Sequence, residues 1–235
     1  MTTVAILQPG YLPWLGFFDQ MARADVFVYY DDVQYDKHGW RNRNRIKVPG
    51  GAAWLTVPVL HKGLDKPRID EILVDDSRDW KRKHLMTLRQ AYARAPAAGT
   101  CLAELEALLA GEWRLLAELD IAVAALMCGW LGIRTRTVRS SQLGIGGGRS
   151  ERLLNICRHF DATTYFSGAS ARDYLDTGLF EAQGVRVEWQ AYEHPVYSQQ
   201  HGPFLPCLSA LDLVLNEGTR SADLFRRQQQ SGKTA

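Results

Sequence analysis

Residues 4–32 set the rhythm that the rest of the chain repeats. An uncharged apolar run, Val4–Leu7, is stopped by Gln8, Pro9 and Gly10. Leu15 to Arg23 then carries Leu15, Phe18 and Met21 at near-helical spacing, and Val26 to Tyr30 is β-branched and aromatic before it ends on Asp31 and Asp32. The pattern predicts strand, loop, helix, strand, with a first strand buried on both faces as in a parallel sheet. Strands are further expected at Arg41–Lys47, Ala53–Leu60, Ile69–Val74, Ile133–Val138, Thr163–Phe166 and Gly184–Gln190. Helices are expected at Asp79–Tyr92, at Leu102–Leu131 with Gly111 as a divider, at Glu151–Phe160 behind an N-cap at Ser150, at Ala171–Leu175, and at Leu208–Leu215. Alternation of helix and strand predicts an α/β fold: a Rossmann-like, mostly parallel sheet flanked by helices. Residues 1–225 form one α/β domain in this reading, and 226–235, low in complexity, a disordered tail.

Composition narrows the class. Of the 235 residues, 46% are hydrophobic and 23% charged, as in an ordinary soluble globule. No apolar run reaches the roughly 18 to 20 residues needed to span a bilayer. With Pro9 and Gly10 breaking the N-terminal apolar run and four cysteines lacking metal-type spacing, a cytoplasmic protein with reduced thiols is expected, and no metal site. A net charge of +2 argues neither for nor against nucleic acid; no recognition-helix motif is present, so a nucleic-acid partner is not expected. The basic residues are nonetheless bunched, between Lys37 and Lys47 and between Arg78 and Arg89.

The first of these clusters carries candidate chemistry. In an extended strand Arg41, Arg43, Arg45 and Lys47 share one face. Such a face serves either as a charge-blunted edge or as an anion grip, because guanidinium groups hold phosphate or carboxylate bidentately. Trp40 and His38 beside it favour the grip, since a solvated edge needs neither. A second stretch, Arg139 to Arg152, runs from a strand end through Ser140 and Ser141 to a turn containing Gly146, Gly147, Gly148 and Arg149, then into a helix. Free amides at a helix start could seat a phosphate there, and a plain surface connection is the alternative. Ser167 and Gly168 mark another strand end suited to a ligand. In the loop after the first strand, Gln8, Tyr11 and Trp14 can do the same. Cys157 falls on or beside an apolar stripe, a packing position or a covalent nucleophile. His84, four residues after Trp80, is read as a packed or surface residue rather than a catalyst.

Five blocks in order, QPGYLPWLGFFD, DDVQYDKHGWRNRNRIK, the SS-x-L and ERL element, YFSGASARDYLD and FLPCLSALDLVLNEG, resemble the WbqC-like family over nearly the whole chain, from about Val4 to Gly218. The resemblance implies a place in bacterial surface-polysaccharide, O-antigen or related small-molecule biosynthesis. The layout is also similar to that of the HIGH-loop nucleotidyltransferases, which include the pantothenate synthetases. The first loop here has Gln8, Tyr11 and Trp14 where those enzymes place a histidine pair.

Three functions are weighed. In the first, a transferase passes an acyl or aminoacyl group to an amine. Arg41, Arg43, Arg45 and Gly146–Gly148 would hold a phosphate-bearing small molecule and Gln8 and Gln34 would orient the reacting groups. His38 would act as general base and Cys157 as nucleophile if the route is covalent. The cofactor would be a nucleotide or a carrier-bound acyl donor. In the second, Asp31 or Asp32 holds Mg²⁺ for nucleotidyl transfer. In the third, the protein binds a precursor or scaffolds a partner without turnover. The first requires the loop QPGYLPW, segment 38–45 and segment 140–150 to converge on one cavity.

Overall fold

A computed structural model describes residues 1–60 and 63–231; His61 and Lys62, expected in a polar loop, lie outside the described residues. The opening unit forms as its pattern dictates: β1 (Thr3–Leu7), α1 (Leu15–Arg23) and β2 (Val26–Tyr29). The basic segment forms β3 (Arg43–Val48), paired antiparallel with β4 (Gly51–Thr56). The run expected as one strand over 53–60 is broken. At Pro58 the chain leaves β4 and starts β5 (Val59–Leu60), which pairs antiparallel with β6 (Leu73–Val74). Only the last two residues of the strand expected at Ile69–Val74 are therefore extended. Ile69–Glu71 instead coils into a 3₁₀ turn, because its amides bond back to the chain after β2, Ile69 N–H to the Val33 carbonyl at 2.9 Å and Asp70 N–H to the Asp31 carbonyl at 2.9 Å.

Helices α2 (Trp80–Ala91), α3 (Ala98–Leu109) and α4 (Leu116–Leu131) follow, the last two divided at the Gly111 turn as expected. Gly132, in the left-handed region at φ +70°, ends α4. The rest is β7 (Arg136–Arg139), α5 (Arg149–His159), β8 (Thr164–Ser167), α6 (Thr177–Glu181), β9 (Arg186–Trp189), α7 (Ala210–Glu217) and α8 (Ser221–Ser231). The helix expected at Ala171–Leu175 is a 3₁₀ turn over Ala169–Asp173. The tail expected to be disordered from 226 is helical as far as Ser231. Its first turns are anchored by the buried Phe225, and Gln228 donates to the Glu193 carbonyl at 2.6 Å.

The main sheet has five parallel strands in the order β7-β2-β1-β8-β9. Period-2 alternation divides its side chains between two cores. Ala5, Phe27 and Tyr29 face one that holds α1, α2, α3, α4 and α7 residues; Val4, Ile6, Val26 and Val28 face another, built with α5 and α6. From β1 the chain builds outward in one direction, to β2 and β7, and then returns to place β8 on the other side of β1. The carboxyl ends of β1 and β8 therefore flank a topological switch point, where loops diverge and leave a crevice.

One buried polar contact has a defined protonation state. His84 Nε2 lies 3.2 Å from the Thr56 carbonyl, which can only accept, so Nε2 carries the proton. Nδ1 is then the acceptor for the Tyr11 hydroxyl at 3.1 Å. Burial holds this imidazole's pKa down at about 4, against the upward pull of the Thr56 bond. An unfolded chain takes up the proton near pH 6.5, the native one only near 4. The stabilisation is therefore complete above about pH 6.5 and declines as pH falls towards 4. Urea midpoints measured from pH 7 to 4 should drop for the wild type, and His84→Gln should flatten that part of the curve.

Candidate functional site

Proline and glycine after β1 send the chain into a loop that the rest of the molecule holds carbonyl by carbonyl. Arg41 donates to the Pro9 carbonyl at 3.0 Å, Asn44 Nδ2 to that of Leu12 at 2.7 Å, and the Ala210 amide to that of Pro13 at 2.9 Å. In return the Tyr11 amide donates to the Arg41 carbonyl at 2.9 Å. The contact is so close at Gly10 that a Cβ there would sit 2.8 Å from the Trp40 carbonyl oxygen. Leu12, at φ +47°, takes up the strain of this path.

This clamp places the basic hairpin over the switch point and encloses a cavity of about 770 Å³. Its floor is Ile6, Leu7 and Gln8 from β1, with Tyr165, Ser167 and Gly168 from β8. One wall is Gly10, Pro13, Trp14, Phe17 and Gln20; the opposite wall is Trp40, Arg41, Asn44 and Arg45. Arg149, Ser150 and Leu153 close it from α5, and Ser170 and Tyr174 stand at its rim. Thus the QPGYLPW loop, segment 38–45 and the end of segment 140–150 meet at one cavity.

The cations of this cavity are uncompensated. Arg41, Arg45 and Arg149 have no carboxylate within 4.0 Å among the described residues, whereas Arg23, Arg68, Arg139 and Arg152 each do. The Arg45 guanidinium lies over the indoles of Trp40 and Trp54, and its Nε has no hydrogen-bond partner among the described residues. Burial pulls the Arg41 pKa down, opposed by Asp120, Asp36 and Tyr35. Asp120, on α4, is fully buried with neither oxygen hydrogen-bonded, and burial raises its pKa well above the ordinary carboxylate range in spite of Arg41.

Other expected residues are elsewhere. Tyr11 is buried, its hydroxyl committed to His84. His38 and Gln34 are exposed and outside the cavity, because the chain turns outward between β2 and β3. Arg43 also stays outside, donating to the Gly39 and His38 carbonyls and lying over Trp54. Lys47 is buried, donating to Gln199 and the Gly202 and Pro203 carbonyls, since it meets the loop before α7. Cys157 sits on the core face of α5, where burial pushes its thiol up to about 12, so an attacking thiolate is not available there.

The glycine turn also differs from expectation. Gly148, not Ser150, caps α5, and its amide is taken by Glu151 at 3.0 Å. Gly147, at φ +134°, is required for packing: a Cβ would lie 2.9 Å from the Arg152 amide. Gly146, Gly147 and Gly148 thus shape the turn, and Arg149 and Ser150 reach the cavity.

Ser140 and Ser141 serve the acids at the end of β2. Asp31 accepts from Arg139 at 2.6 Å, from the Ser141 amide at 3.0 Å and from the Ser141 hydroxyl at 2.9 Å. Asp32 accepts from Ser140 at 2.5 Å and pairs with Arg152. These carboxylates brace β2 against β7 and α5. Among the described residues no group of three or more histidines, cysteines or acids is arranged to hold a metal.

Two features of the cavity escaped the sequence reading. Gln190 Nε2 donates to the Gly16 carbonyl at 2.8 Å and Asp19 at 2.7 Å, which obliges its oxygen to accept from Gln20 at 2.9 Å. This relay fixes the α1 wall, and its partners are 170 residues apart. Cys207, at φ +58°, brings a thiol to the cavity. No local pattern marks either.

Gly10→Ala should separate the loop from Trp40 and cost about 1–3 kcal/mol, read as a lower urea midpoint. Asp31→Asn should cost about 3 kcal/mol at neutral pH. Burial alone would raise the Asp31 pKa, but the Ser141 and Arg139 bonds outweigh it and the net shift is downward. Its contribution is present above the ordinary carboxylate pKa and lost as pH falls through the lowered one, so the variant's deficit should shrink in acid below about pH 4.

An uncharacterized protein of Mycobacterium tuberculosis is 40% identical over 228 residues, covering 96% of this chain and 98% of the relative. No solved structure matches. The WbqC-like protein family matches residues 8–224. The chain belongs to the WbqC-like protein family.

Proposed function

We propose that this protein is a transferase of bacterial surface-polysaccharide, amino-sugar or related small-molecule biosynthesis. It grips a phosphate-bearing donor at the switch-point cavity and passes an acyl or aminoacyl group to an amine. One observation carries the reading: Arg41, Arg45 and Arg149 border the same cavity without a carboxylate partner among the described residues. Arg41 and Arg45 are half-buried and Arg149 is exposed; half-buried cations are costly unless paired, and an anionic ligand supplies the missing pair. Family membership supports the biosynthetic setting.

The lining constrains the chemistry. Among the described residues the lining holds no Asp, Glu or His; its titratable groups besides the arginines are Tyr30, Tyr165, Tyr174 and Cys207. The donor therefore arrives already activated, as a thioester or acyl phosphate. The amine nitrogen attacks the carbonyl carbon, the bond to sulfur or phosphate oxygen breaks with its electron pair, and the amine proton passes to solvent. Gln8, which lines the cavity and whose side-chain amide has no hydrogen-bond partner among the described residues, orients the carbonyl or amine. The arginines stabilise charge on the departing group. Mg²⁺-dependent nucleotidyl transfer has less support, because Asp31 and Asp32 are already held by serines and arginines. The lack of carboxylate and imidazole groups among the described lining residues favours, as a second reading, a protein that binds the precursor without turnover.

Native mass spectrometry of the protein purified gently from cells should show a bound phosphate-bearing small molecule. Inorganic pyrophosphate should bind by calorimetry with a salt-dependent affinity. Arg41→Met and Arg45→Met should each weaken it about 10- to 100-fold, as expected for charge-assisted bonds. Unchanged affinity in both variants would sink the proposal. Amide formation that continues in EDTA separates acyl transfer from the nucleotidyl route, and binding with no turnover selects the second reading.

A further inference from the structure

The hairpin that carries the arginines also holds two indoles in solvent at the cavity's edge. Trp40 is 44% exposed and Trp54 46%, and only Trp40 is part of the cavity lining. Their ring centroids are 5.0 Å apart with planes inclined at 41°, so the pair forms an open wedge rather than a closed stack. Register explains the grouping: on β4, Trp54 stands directly across from Arg45 on β3. The Arg45 guanidinium is 5.6 Å from the Trp40 ring and 5.9 Å from the Trp54 ring, and the Arg43 guanidinium is 4.6 Å from the Trp54 ring. Arg43 is itself held by the Gly39 carbonyl at 3.2 Å and the His38 carbonyl at 2.7 Å. The wedge is therefore built from both strands and from the turn before them.

A solvent face of a two-stranded hairpin is satisfied by small or β-branched residues. Keeping two indoles there leaves a large apolar area wet, the kind of exposure that marks a binding surface. The chemistry of the surroundings selects the guest. Platforms for sugar rings need acceptors for the hydroxyls around them, and the cavity lining contains no Asp or Glu. Guanidinium groups instead favour an electron-rich planar ring joined to an anion, because they stack on π faces and bind phosphate equally well. The distribution fits a molecule with both parts: phosphates on Arg41 and Arg45 inside, a flat ring on Trp40 and Trp54 at the edge.

We propose that the ligand is nucleotide-linked: Trp40 and Trp54 stack the base of a nucleoside diphosphate group whose phosphates lie on Arg41 and Arg45. The proposal rests on the anion-binding reading given above and narrows it to one class of ligand. The base is a handle for binding, remote from the acyl transfer, and every base offers a π face, so the platform discriminates little among bases.

The test uses the full chain with EDTA present. Uridine and adenosine 5′-diphosphates, inorganic pyrophosphate and glucosamine 1-phosphate are titrated by calorimetry, with quenching of tryptophan fluorescence as a second readout. The expected result is that both nucleotides bind about 5- to 100-fold more tightly than pyrophosphate, the range that stacking one base supplies. They should quench fluorescence in step with binding. Trp54→Leu, outside the cavity lining, should remove most of that advantage while pyrophosphate affinity stays within about two-fold and the circular dichroism melt is unchanged; Trp40→Leu should lower the ratio of nucleotide to pyrophosphate affinity in the same way. Should Trp40→Leu disturb the melt, Trp54→Leu, farther from the loop clamp, carries the comparison. Pyrophosphate binding with no gain from the base, or a gain that survives both substitutions, overturns the stacking proposal and leaves the anion site standing. A gain for glucosamine 1-phosphate equal to that of the nucleotides also overturns it, in favour of a sugar platform. If no probe binds, pyrophosphate included, the anion reading falls and this one falls with it.

Discussion

Everything at the cavity depends on the contact between the loop after β1 and the chain just before β3. The Trp40 carbonyl lies so near Gly10 that only a residue without a Cβ fits, and the Tyr11 amide and Arg41 guanidinium tie the two backbones together on either side. A parallel sheet provides a crevice at its switch point but does not say what covers it. Here the cover comes from the excursion between β2 and β7, whose first hairpin could have packed in many places. The clamp decides that Arg41 and Arg45 face the carboxyl end of β1. Without it they would be surface charges on a hairpin.

The arginines divide by what answers their charge. Arg139 and Arg152 are spent on Asp31 and Asp32, which hold strand ends and helix α5 in register. Arg23 is spent on Asp19, part of the buried relay through Gln190 and Gln20 that fixes the α1 wall. These pairs are structural, and they leave the sheet edge rigid. Arg41, Arg45 and Arg149 are different. They stand around an aromatic-rich cavity with backbone carbonyls, indoles or solvent for company. The fold tolerates this because Arg41 is only partly buried and its bond to Pro9 is part of the clamp.

Local pattern and tertiary packing made separable contributions. The helix at Leu15–Arg23 and the strands at Val4–Leu7 and Val26 onwards were legible because hydrophobic periodicity is a local property. Gly132 was legible as a helix stop because its conformation is one that other residues resist. The parallel sheet followed from the alternation of helix and strand. Patterns were misread where a distant partner overrode the local preference. The stretch Ile69–Val74 carries enough apolar residues for a strand, but bonds to Val33 and Asp31 coil Ile69–Glu71. Arg43 alternates with Arg41 and Arg45 in sequence, yet its side chain is drawn aside by the carbonyls of the preceding turn.

For the site, the sequence by itself determined the inventory: a Gly-Pro loop, a run of arginines among aromatics, a glycine turn before a helix, small residues at strand ends. It also determined which of these would fall at the carboxyl ends of strands. Only the tertiary structure decided which members share a cavity and which do not. It sent Cys157 to the core and Cys207 to the cavity, and turned His38 and Gln34 away from it. It gave Asp31 and Asp32 to bracing and left three arginines with no carboxylate within 4.0 Å among the described residues. The reason is physical. Strand and helix periodicity depend on neighbours a few residues apart, which the chain records directly, whereas burial, charge pairing and a side chain's aim depend on groups a hundred residues away.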